Sequence, residues 1–139
     1  MLKRFFLKKE VKKETPEIKE NKIKSMVCLM IEVSRIDGNI SKSEVNLIKK
    51  FISEFKPGIN IHQFYEEAFE LAHTEESLNA FIDTINRKCT KKEKLFFLET
   101  LWKVIQSDDE INPYENSLYL RISELMKVKR SIANRIKIN

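Results

Sequence analysis

The sequence predicts an all-α fold: a compact single-domain helical bundle of about seven helices with an internal two-fold repeat. Three observations point there. The chain carries only two Gly and three Pro in 139 residues, too few turn-formers for a many-stranded sheet. Apolar residues recur at i, i+3, i+4 and i+7 in one segment after another, and no segment sustains a period of two. A short acidic motif occurs twice, 71 residues apart, each time between two amphipathic segments, as expected of a duplicated helical unit. The length suits one domain with a real core.

Residues 1–21 read as a basic lead-in and residues 22–139 as the helical domain. Thr15-Pro16-Glu17 is a helix-start signal. The first strong helix runs from Ile18 or Lys22 to Arg35, with Ile23, Met26, Val27, Met30 and Val33 on one face. After the first acidic turn, a helix from Lys42 to Phe55 aligns Val45, Ile48, Phe51, Ile52 and Phe55, and Pro57-Gly58 ends it. A helix after Asn60 carries Ile61, Phe64, Ala68, Leu71 and Ala72. Another after Thr74 carries Leu78, Phe81, Ile82 and Ile85. Thr90-Lys91-Lys92-Glu93 is a capping box that opens a helix with Leu95, Leu98, Leu101, Trp102 and Ile105 in register. After the second acidic turn, a helix from Pro113 to Met126 points Leu118, Ile122, Leu125 and Met126 inward. A last short helix carries Ile132 and Ile136.

Charge is unevenly distributed. Residues 1–24 hold nine Lys/Arg and four Glu, residues 127–139 hold five basic and no acidic residues, and the body between them is net acidic. The formal net charge of +5 therefore belongs to the two ends, and the aromatics sit at core spacing rather than among the basic residues. This excludes a nucleic-acid interface of the basic-aromatic kind. No stretch approaches the roughly 20 apolar residues of a membrane span, and Met1–Leu7 is too short for a signal-peptide core, so the cytoplasm is expected. Leu2, Phe5 and Phe6 beside Lys3, Arg4, Lys8 and Lys9 suit either an unstructured tail or a weak anchor on an anionic membrane through residues 1–14, peripheral at the inner membrane.

Catalytic motifs are missing: there is no phosphate loop, HExxH or GxSxG. Cys28 and Cys89 lie in helical segments without metal spacing and read as small buried thiols. His62 and His73, one following an N-cap and one at a helix end, read as structural. Glu66, Glu67, Glu70, Glu75 and Glu76 make an acidic helix face, solvated or facing a basic partner. Arg130, Arg135 and Lys137 suit a helix C-terminus.

The two acidic turns carry the functional signal. Asp37-Gly38-Asn39-Ile40 leads to Glu44, and Asp108-Asp109-Glu110-Ile111 leads to Glu115. Ser41 and Glu44 form a capping box; Asn112 and Glu115 follow the same logic with Pro113 at the first helical position. Capping leaves a surplus of acids near helix C-termini, where the dipole disfavours negative charge. Oxygen-rich turns of this kind suit Ca²⁺ or Mg²⁺, with Asp37, Asn39 and Glu44 in one turn and Asp108, Glu110 and Glu115 in the other as candidate ligands. Neither is an EF-hand: Asp37 to Glu44 is seven residues where that loop spans eleven from first acid to last.

On these residues the chain resembles the tellurite-resistance TerB family, broadly taken to include TerB-like domains. The family pattern is a helix, an Asp-Gly-x-Ile turn, three residues, a Glu and an amphipathic helix, twice over. Here it reads Val33-Ser34-Arg35-Ile36-Asp37-Gly38-Asn39-Ile40-Ser41-Lys42-Ser43-Glu44, and again from Ile105 to Glu115, covering residues 22–128. The chain departs from it at Asp109, where Gly is usual, and at Ile36, where a small residue is common. The resemblance implies an all-α, non-enzymatic module, often membrane-associated, linked to stress or tellurite response, binding metal ions and partner proteins. The expectation is thus a module that binds a divalent cation through its acidic turns and a protein partner through a helical surface. The alternative is a membrane-surface adaptor acting through its basic amphipathic N-terminus, with purely structural turns.

Overall fold

A computed structural model of the chain describes residues 16–36, 38–73, 78–107 and 113–138. Among these residues there are seven helices and no strand: α1 (Pro16–Ser34), α2 (Lys42–Phe55), α3 (Ile61–Ala72), α4 (Leu78–Lys88), α5 (Lys91–Gln106), α6 (Pro113–Leu125) and α7 (Arg130–Ile138). The all-α expectation holds. Pro16 takes the first position of α1, and the helix runs on across residue 21. The basic face predicted for residues 1–14 lies outside the described residues.

Helix α1 is the axis of the bundle, packed by α2, α3, α4 and α5. The sequence periodicity marks one apolar face on it. The structure buries the other side as well: Cys28, Leu29 and Ile31 are as inaccessible as Met26, Val27 and Met30. A helix enclosed by four neighbours keeps little solvent face, here the partly exposed Lys24 and Glu32 on either side of the buried stretch. Helix α5 is the second hub, touching α1, α2, α6 and α7. Around it Phe51 stacks on Phe96 with ring centroids 5.1 Å apart, and Trp102 meets Tyr119 at 5.0 Å.

A cation is built into this core. Lys22 is only 3% exposed, and its Nζ donates to Glu93 Oε1 at 3.0 Å and to the Lys88 carbonyl at 3.2 Å. The pair ties α1 to the connection between α4 and α5. Glu93 also closes the Thr90 capping box: the Thr90 N–H donates to Glu93 Oε1 at 2.8 Å, and the Glu93 N–H donates to Thr90 Oγ1 at 3.1 Å.

Four details differ from the sequence reading. Leu125 is 38% exposed, while Tyr119 is fully buried in its place. The inward face of α6 runs through Glu115, Tyr119 and Ile122, so position 125 turns out toward solvent. The Tyr119 hydroxyl makes this burial tolerable by donating to the Ala133 carbonyl at 2.9 Å. Arg130 opens α7 and does not cap its end; of the three basic residues only Arg135 and Lys137 lie in its last turn. Cys89 follows the end of α4 and is half-buried, whereas Cys28 is buried inside α1. Lys137 is held within the molecule, donating to Asn116 Oδ1 at 2.9 Å and lying 5.2 Å over the Trp102 ring.

Candidate cation-binding turns

The first acidic turn is built from the end of α1. Ser34 Oγ donates back to the Met30 carbonyl at 2.8 Å, and the Arg35 N–H reaches the Ile31 carbonyl at 3.1 Å. The Gly38 N–H then bonds the Arg35 carbonyl at 2.9 Å, with Gly38 at φ +122°, a conformation L side chains rarely adopt. Gly38 and Asn39 are exposed, while Ile40 is half-buried and packs on the core. Ser41 caps α2 in extended geometry. Its N–H donates to Glu44 Oε1 at 2.7 Å, and the Glu44 N–H donates to Ser41 Oγ at 3.1 Å. The predicted capping box is thus present, and it carries Glu44 into the interior at 1% exposure.

Two further residues frame this turn. Arg35 Nη2 donates to Glu32 Oε2 at 2.7 Å, and Arg35 Nη1 meets His73 Nε2. His73 Nδ1 lies 2.8 Å from the Phe69 carbonyl. A carbonyl only accepts, so Nδ1 carries the proton and Nε2 accepts from the guanidinium. The C-terminal end of α3 is thereby fastened to the end of α1. Tyr65 sits in the same region. Burial pushes its phenol above the usual tyrosine value, the Glu66 and Glu44 carboxylates add to the shift, and Arg35 opposes it.

The second turn is framed by α5 and α6. Ser107 closes α5, its N–H and Oγ both donating to the Val104 carbonyl at 3.2 and 2.8 Å. Pro113 opens α6, and Glu115 occupies the third helical position at 2% exposure. Glu44 occupies that same third position in α2, 71 residues earlier.

Of the six predicted ligands, the structure places Asn39 on the exposed turn and Glu44 and Glu115 as buried residues in the first turns of their helices. Asp37, Asp108 and Glu110 lie outside the described residues. Among the described residues no three His, Cys, Asp or Glu side chains converge as a metal cluster. Sequence reasoning missed Arg35 and Tyr65, and it left His73 unpartnered. Arg35 and His73 are separated by 38 residues, and no local pattern announces such a pair.

Comparison with known proteins gives a consistent picture. Residues 24–138 match the sequence model of a family described as tellurite resistance protein TerB. A crystal structure of a protein of unknown function from Porphyromonas gingivalis W83 shares the fold, with a TM-score of 0.61, 16% identity and 94% of each chain covered. No curated protein matches the chain. Among the described residues no helix is long and apolar enough to cross a membrane.

Proposed function

The chain belongs to the tellurite-resistance TerB family, and from that premise we propose that it is a non-enzymatic, cytoplasmic stress-response module that holds a divalent cation at its acidic turns and engages a protein partner. One observation carries the reading: two glutamates, Glu44 and Glu115, are buried at the same helical position after two acidic turns. Burying a carboxylate costs several kcal/mol unless its oxygens are satisfied. Glu44 meets that requirement by capping, which fixes the backbone of its turn.

In this reading Glu44 and Glu115 shape the turns, and the surplus oxygens bind the ion. Asp37 and Asn39 serve the first turn, Asp108 and Glu110 the second. Carboxylate and carboxamide oxygens select a hard cation, Ca²⁺ or Mg²⁺. The exposed carboxylates of α3, Glu66 and Glu70, supply a surface of the sign a basic protein partner requires.

Calorimetric titration with Ca²⁺ and Mg²⁺, paired with thermal melting, tests the cation. A site with a Kd of about 0.1 mM stabilises the fold by about 1.4 kcal/mol at about 1 mM cation, which raises the Tm by about 3–6 °C. Asp37→Asn combined with Asp108→Asn should abolish both heat and shift. Absence of heat and of any Tm rise at millimolar cation would refute the site while leaving the fold assignment untouched.

A further inference from the structure

A groove of about 560 Å³ opens between the end of α2 and the first half of α5. Its floor is apolar, made by Phe55, Leu95 and Phe96, all half-buried. Its rim is acidic: Glu54 and Glu99 are exposed there, and neither forms an ion pair within the described residues. Among the described residues Lys92 is the one basic residue lining it. Glu93, on the same wall, is bonded to Lys22 of α1. The start of α1 at Pro16 is six residues, about 9 Å of helix, before Lys22, the residue that reaches this wall.

The fifteen residues before Pro16 have complementary chemistry. Leu2, Phe5 and Phe6 share the i, i+3, i+4 spacing of one helical stripe. Lys3, Arg4, Lys8 and Lys9 flank them, and no acid occurs before Glu10. Extended, fifteen residues span up to about 50 Å, so reach does not limit contact. Tethering also keeps the effective concentration of such a segment near the millimolar range.

We propose that residues 2–9 of this chain seat in its own groove, with Leu2, Phe5 and Phe6 against the apolar floor and the basic side chains facing Glu54 and Glu99. The stripe that would enter an anionic membrane surface is then the stripe the groove covers, so docking and lipid contact exclude one another.

Zero-length carbodiimide cross-linking of the full chain, read by peptide mass spectrometry, tests this. The expected products join Lys3, Lys8 or Lys9 to Glu54 or Glu99 within one molecule. Phe5→Ser with Phe6→Ser leaves every lysine in place but removes the apolar anchor, and should cut the yield about tenfold or more. A mixture of ¹⁴N- and ¹⁵N-labelled protein separates intrachain products from interchain ones. Four results each overturn the proposal: no such cross-links, equal yields at Glu66, Glu67 and Glu70, yields indifferent to the double substitution, or products that are chiefly isotopically mixed. The last would place the segment in the groove of a second copy.

Discussion

Tyr119 shows how one side chain sets a measurable property of the whole. Burial pushes its phenol up to about 12, a hydrogen bond with Ser123 opposes the shift, and the Glu99 carboxylate adds to it. In the unfolded chain a tyrosine ionises near pH 10. Between those values the unfolded state has released the proton and the folded state still holds it, so stability is complete below pH 10 and falls as pH rises toward 12. Tyr119→Phe should flatten this alkaline decline. It should also cost about 1 kcal/mol at neutral pH, because the Ala133 carbonyl loses its donor. Urea melts at pH 7, 10 and 11.5 check both. Lys22 makes a second case. Lys22→Ala removes the donor to the Lys88 carbonyl and the cation beside Glu93, which keeps its capping-box bond, and opens a gap, costing about 3 kcal/mol. Lys22→Met fills the gap and should cost less, a difference that denaturant melts of the two variants resolve.

At the scale of the helix, α6 ends in a way that invites improvement. The Val128 N–H bonds the Ser123 carbonyl at 3.0 Å and the Lys127 N–H bonds the Glu124 carbonyl at 2.9 Å, the two bonds of a Schellman ending. The left-handed position is filled by Lys127 at φ +66°, where glycine is favoured. Lys127→Gly should stabilise the protein by about 0.5–1 kcal/mol, read as a rise in Tm. Removing a cap should act oppositely: Ser41→Ala costs about 1 kcal/mol. Caps of this kind were legible in the sequence because they are local. Ser41 with Glu44 and Thr90 with Glu93 lie three residues apart, and their geometry follows from helix pitch alone. The Schellman ending at Lys127 was not legible, since no Gly or Asn marks it. Nor was the Lys22 pair, whose partner stands 71 residues away. Leu125 was misread because the inward face of α6 is set by how Tyr119 reaches α7, a tertiary contact that periodicity does not contain.

For the whole molecule, periodicity and the scarcity of Gly and Pro were enough for the fold class, since seven amphipathic segments joined by short turns have few other ways to bury their stripes. The helix starts at Lys42 and Pro113 keep the 71-residue offset of the acidic motifs. The site was only half legible. Capping residues and candidate cation ligands are the same few amino acids, and sequence alone does not tell that Glu44 is buried in a capping box while Asn39 is exposed. The central position of α1 has a further consequence during synthesis. Its buried stretch from Ser25 to Ile31 leaves the ribosome before every helix that covers it, and α5 ends 72 residues after α1 does. At about 5–20 residues per second that interval lasts about 4–14 s. Through it, a helix whose middle has no polar side stands uncovered, which leaves apolar surface open to non-native contacts until α5 is complete.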